Sequence, residues 1–87
     1  MEIIVYILMW YLYILRLSDG SLYTGITKDV KRRIEEHEKG NGSKYVRSRL
    51  PCELVYIEEM EDRSEALKRE AEIKNWDKER KERLVSS

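Results

Sequence analysis

WYLYILRL, SDG and SLYTGIT, residues 10–17, 18–20 and 21–27, form the stretch on which the fold turns. Trp10–Leu17 is apolar on both faces, as a strand covered from two sides should be. Ser18-Asp19-Gly20 is a hairpin signal, with Gly20 supplying the left-handed conformation of a three-residue loop. That loop sets a register pairing Leu17 with Ser21, Leu15 with Tyr23 and Tyr13 with Gly25. Tyr13 and Tyr23 then project from one face, and Gly25 leaves room opposite Tyr13. A two-residue loop at Asp19-Gly20 would put the tyrosines on opposite faces.

Outward from the hairpin, Asp29–Glu38 reads as a helix with Val30 and Ile34 four residues apart, stopped by Gly40-Asn41-Gly42. Ser43–Leu50 is expected to be a short helix closed before Pro51, and Cys52–Glu58 a third strand. Asp62 and Glu65 look like a capping box for a helix running to about Lys74. Asp77 starts a last helix ending near Val85. The order β-β-α-α-β-α-α describes an α+β domain, a three-stranded antiparallel sheet flanked by helices. The domain is read as residues 10–85. The apolar segment 1–9 is set apart as an extra edge strand, a dimer contact or the product of an upstream start. It lacks a basic leading segment and a small-residue cleavage site, and the apolar run ends at Arg16, short of a membrane helix.

The chain has 87 residues, 41% of them hydrophobic and 39% charged, with 17 basic and 17 acidic side chains. A domain of this length hides only about 60–65% of its unfolded surface, so the core must be thin. Zero net charge counts against a nucleic-acid binder, which usually carries a basic excess. The charge is partly segregated, however. Lys28, Lys31, Arg32, Arg33, Lys39, Lys44, Arg47 and Arg49 crowd the middle, whereas Glu53, Glu58, Glu59, Glu61 and Asp62 follow. Cys52 is alone, so neither a disulfide nor a cysteine-based zinc site forms within one chain. A reducing cytoplasm is the default compartment, with no membrane partner.

Function shows where polar groups fall at inward positions. Tyr13 and Tyr23 share a face, although tyrosines are also simply good strand formers. Arg33 and His37 flank the Val30–Ile34 stripe and are themselves four apart. Arg suits phosphate oxygens through its planar fork; the alternatives are an arginine reaching to solvent and a histidine complementing the helix dipole. Ala66, Leu67, Ala71 and Ile73 mark the apolar side of the third helix, and Glu70 lies among them. A lone inward carboxylate suits a hard divalent cation that keeps its remaining waters; a salt bridge, for instance to Arg33, competes with that reading. Lys44, Tyr45 and Arg47, with Arg49, make either a phosphate-binding track or ordinary solvated surface.

Tyr11-Leu12-Tyr13, Tyr23-Thr24-Gly25, Arg33, His37 and Glu70 together resemble, in order and spacing, the signature of the GIY-YIG nuclease superfamily. DGSLYTGIT, Asp29–His37 and SEALKREAEIK are similar to its small stand-alone bacterial members, relatives of the nuclease domain of UvrC repair proteins. The first motif has Tyr-Leu-Tyr where the name-giving form has Gly-Ile-Tyr, which leaves Tyr13 in place. Asn75 is near a late asparagine of many members, without a firm alignment. The resemblance implies a metal-dependent endonuclease acting on nucleic acid, DNA above all, in repair or recombination. Tyr13 and Tyr23 would line the site, Tyr23 as the better general base. Arg33 would stabilise the phosphoryl charge, His37 would assist the hydroxyl network, and Tyr45 would be a further site aromatic. Glu70 would hold one Mg²⁺ or Mn²⁺. The alternative is a non-catalytic nucleic-acid-binding module with the same fold, and a protein partner or homodimer stays open.

Overall fold

The central strand decides where everything else sits, because its side chains alternate between two helix-covered faces. The computed structural model describes residues 9–87, so the expectation for Met1–Leu8 lies outside the described residues. Strand β1 is Trp10–Leu17, β2 is Leu22–Thr27 and β3 is Cys52–Met60. They form one antiparallel sheet in the order β2-β1-β3. Helices α1 (Val30–Glu38), α2 (Lys44–Arg47), α3 (Arg63–Lys74) and α4 (Lys78–Ser86) complete the β-β-α-α-β-α-α order.

The hairpin takes the register of the three-residue loop. Tyr13 faces Gly25 and Leu15 faces Tyr23, the Leu17 amide donates to the Ser21 carbonyl at 2.9 Å, and Gly20 has φ +83°. Aspartates begin three of the helices. The Asp29, Asp62 and Asp77 carboxylates accept from the Arg32, Glu65 and Arg80 amides, satisfying donors the first turn leaves open. Two boundaries differ from the sequence reading. Helix α2 is one turn instead of eight residues, because the Ser43 hydroxyl starts it and Ser48 already closes it. Strand β3 runs two residues further, where Met60 and Glu59 pair with Trp10 and Tyr11.

Odd positions of β1 (Tyr13, Leu15, Leu17) pack with Val46, Tyr23, Ile34, Leu50 and Leu54 under α1 and α2. Even positions (Leu12, Ile14) pack with Ile73, Trp76, Leu84 and Val85 of the C-terminal helices. A register shift between Ile14 and Leu15 leaves Val55 unpaired in β3, a bulge that lets both Val55 and Tyr56 join the second cluster. Arg16 binds Glu82 through two 2.7 Å bonds and ties α4 to the sheet. The inward stripe of α3 is narrower than its apolar residues suggest. Ala66 and Ile73 are buried, Glu70 lies between them, and Leu67 and Ala71 are exposed.

Gly25 is required by volume. A Cβ there would lie 2.5 Å from Tyr13 Oη and 2.6 Å from Cζ, and Tyr13 is 1% exposed, with nowhere to swing. Gly25→Ala should therefore cost about 1–3 kcal/mol by overpacking. The cost should largely vanish in a Tyr13→Leu background, a coupling that urea titration of the two single variants and the double variant measures. Additive losses would show that the ring does not set the constraint.

Candidate active site

The site lies on the odd face of β1, where β2 and α1 meet. Tyr13 sits in the middle of β1, and its hydroxyl is 2.8 Å from His37 Nε2. The Arg33 Nε–H donates to the same oxygen at 3.4 Å. Arg33 and His37 reach it together because four residues make about one helical turn. Arg33 also bonds Glu36 Oε1 through Nη1 at 3.1 Å, which leaves Nη2 without a partner among the described residues. His37 is fully buried in the last turn of α1, and Arg33 is partly buried against it, its guanidinium turned to Tyr13 and Glu36.

Protons in this network can be placed by counting. The phenol oxygen accepts from Arg33, so its single proton is free to go to Nε2, which puts the imidazole proton on Nδ1. The opposite arrangement would orphan both the phenol proton and the Nδ1 lone pair, whereas this one orphans only Nδ1–H. Among the described residues, Nδ1 is indeed buried without a partner. Gly42 covers it so closely that any Cβ there would run into the ring, lying 2.7 Å from Cε1.

Burial shapes both titrations. Loss of solvation pushes the Tyr13 phenol up to about 12; the Arg33 bond and charge oppose this, and the Tyr23 and Glu70 charges add to it. Loss of solvation also depresses the His37 imidazolium, the Arg33 charge deepens the shift, and Glu36 opposes it. Arg33 is held above its ordinary value, chiefly by its bond to Tyr13. The centre is thus a neutral phenol on a neutral imidazole beside a permanent cation.

Tyr23 is the partly exposed member of the aromatic group. Its ring meets His37 edge-on at 5.4 Å and lies 6.4 Å from Tyr13. Tyr45 stacks on Tyr23 at 6.4 Å and 23°, with the Arg49 guanidinium 3.7 Å from the Tyr45 ring centre. Asp19 fixes Arg49 at 3.1 Å. Tyr45 therefore joins the aromatic group, while Lys44 and Arg47 stand exposed beside it and Val46 turns into the core.

Glu70 is placed apart from this hydrogen-bonded set. Its side chain is 19% exposed and its carboxylate pairs with Lys74 Nζ at 3.2 Å, not with Arg33, whose acidic partner is Glu36. Its charge still reaches Tyr13. No group of three or more His, Cys, Asp or Glu side chains converges among the described residues. The partners Glu36 and Lys74 were legible in principle, since each lies three or four residues from the group it pairs. Gly42 was not, because a Gly-Asn-Gly run signals a helix stop without showing which ring the backbone will cover.

Residues 9–83 match the GIY-YIG catalytic domain. A UPF0213 protein of Staphylococcus aureus is 53% identical over 75 residues, covering 86% of this chain and 92% of the relative. The solution structure of the UPF0213 protein BH0048 of Bacillus halodurans is 46% identical with a TM-score of 0.60, covering 91% of this chain and 84% of that one. The solution structure of protein EF2693 of E. faecalis is 39% identical with a TM-score of 0.62, covering 90% and 83% respectively.

The depressed His37 pKa gives a test by linkage. Unfolded His37 takes up its proton near its ordinary value of about 6.5, before the folded form does, so stability must fall as pH drops below that value. Urea midpoints at about pH 7.5 and 5.5 should fall for the wild type and fall less for His37→Gln. Equal losses in the two proteins would mean that His37 is not held neutral by the fold.

Proposed function

This chain belongs to the GIY-YIG catalytic-domain family, a nuclease superfamily, and on that footing we propose that it is a metal-dependent endonuclease acting on DNA in repair or recombination. The observation that carries the reading is the Tyr13 hydroxyl, placed between Arg33 Nε at 3.4 Å and His37 Nε2 at 2.8 Å in the middle of a hydrophobic cluster. A phenylalanine and a leucine would fill that space without burying three polar groups.

Each residue takes a role its position supports. Tyr23, partly exposed where Tyr13 is buried, is the better general base toward the attacking water. Tyr13 lies beneath it; burial holds its proton, so it orients Arg33 and the imidazole. Arg33 keeps Nη2 free to meet a phosphate oxygen as the phosphoryl group gains charge. His37 accepts the Tyr13 proton bond and fixes that hydroxyl's direction. Lys44, Tyr45 and Arg47 extend the surface along which a phosphate backbone would run.

In this reading one hard divalent ion would be held at Glu70. Glu70 offers a half-buried carboxylate on the inward stripe of α3, with an exposed lysine as its protein partner, and Mg²⁺ needs only one or two such ligands. When bound there, Mg²⁺ or Mn²⁺ supplies Lewis-acid polarisation of the phosphate and eases loss of a proton from a neighbouring hydroxyl.

Labelled flap, nicked, branched, single-stranded and RNA substrates, incubated with Mg²⁺ or Mn²⁺, test the proposal. The wild type should cut in a metal-dependent way, Glu70→Ala should lose that cutting, and Arg33→Ala should slow it by about 100- to 1,000-fold. A folded wild-type protein that cuts none of them with metal present would instead be a nucleic-acid-binding module.

A further inference from the structure

A groove of about 410 Å³ opens beside the site and shares Arg33 with it; Trp10, Ile26, Lys28 and Arg32 form its other main walls. Its two acids are already engaged. Asp29 caps α1 by accepting from the Arg32 amide, and Glu36 faces Arg32 at 3.6 Å and Arg33 at 3.1 Å. Lys28 is exposed, with no ion-pair partner among the described residues, and the Arg32 side chain is 77% exposed.

The aromatic wall is unlike the other cation-contacted rings. Arg80 lies 4.0 Å from the Trp76 ring centre and Arg49 lies 3.7 Å from that of Tyr45, both at stacking distance. At Trp10 the nearest cations, Lys28 and Arg63, are each 5.8 Å away, at the edge of cation–π reach. Among the described residues, Trp10 thus has positive charge around it and no planar cation stacked on it. A planar ring joined to anions meets both conditions, as a nucleobase on its phosphodiester backbone does. The base must be unpaired, because inside a duplex both its faces are covered by neighbours. Trp10 leaves β1 on the face opposite Tyr13, but it lines the same groove as Arg33, so a strand stacked on it runs to the arginine that the groove and the site share.

We propose that this groove seats an unpaired DNA strand next to the scissile phosphate, one base stacked on Trp10 and the adjoining phosphates on Lys28 and Arg32. The inference rests on the nuclease reading and adds its substrate class: a flap or single-stranded end in preference to continuous duplex.

Titration of the full ¹⁵N-labelled chain in EDTA tests it, using an oligothymidylate of roughly 12 nucleotides, its duplex and the matching oligouridylate. The chain has two tryptophans, so two indole N–H resonances report separately and Trp10→Phe assigns them. The Trp10 resonance should move with the single DNA strand while that of Trp76 stays put. By anisotropy, Trp10→Leu should weaken single-strand binding by about 5- to 100-fold and duplex binding less than about twofold. A static Trp10 resonance during saturable binding, equal weakening for both DNA forms, or tighter binding of the uridylate would overturn the proposal. If flaps are cut in a Glu70-dependent way while Trp10 stays static, the groove assignment alone fails. If nothing is bound and nothing is cut, the nuclease reading fails and the groove assignment with it.

Discussion

The bond between the Tyr13 hydroxyl and His37 Nε2 holds strand β1 and helix α1 at one fixed distance inside an apolar cluster. Burying a phenol and an imidazole is costly unless each polar atom finds a partner, and here the partners are each other and Arg33. The close fit depends on two glycines, Gly25 against the phenol and Gly42 against the imidazole. Any side chain at either position would push the rings apart. The remaining orphan, His37 Nδ1, is what the tight cover at Gly42 leaves behind. A network that spends stability in this way is expected where function, not folding, selects the residues.

The sheet divides its labour between faces because β1 is central and its side chains alternate. Leu12 and Ile14 point to a closed apolar layer under Ile73, Trp76, Leu84 and Val85. Ion pairs at its margin, Arg16–Glu82 and Arg69–Glu58, hold the helices down. Tyr13 and Leu15 point to the other face, which carries the aromatic and cationic groups. One layer supplies rigidity while the other accepts the cost of polar burial. In a domain with so thin a core, separating the two tasks keeps the site from loosening its own support.

Much of this was legible because it depends on local rules. The three-residue loop with Gly20 sets the hairpin register, and the register alone puts Tyr13, Tyr23 and Gly25 together. Arg33 and His37 follow from helical spacing, and the aspartate caps from the residue types that accept amide hydrogen bonds. What was hidden depends on where elements dock. The single turn of α2 ends at Ser48, although the residues up to Leu50 have no helix breaker of their own. Leu67 and Ala71 look like core residues, yet α3 lies so that only the Ala66–Glu70–Ile73 line faces inward. The stacking of Tyr45 on Tyr23 joins residues 22 positions apart and has no local signal.

Neutral net charge is compatible with a polyanionic partner because the charges are not evenly spent. Several acids near the site are held by cations or caps: Asp19 by Arg49, Glu36 by Arg32 and Arg33, Glu70 by Lys74, and Asp29 by the start of α1. Glu53 and Glu59 instead have no ion-pair partner among the described residues, and both stand exposed on β3, across β1 from β2. Lys28, Lys44 and Arg47 are exposed and equally unpaired, at the end of β2 and on α2. An approaching phosphate backbone would meet these cations and be turned away from the β3 edge. Because exposed charges act only within about 8–10 Å at physiological salt, such segregation matters more to the partner than the sum. The composition alone, read as a total, conceals that field.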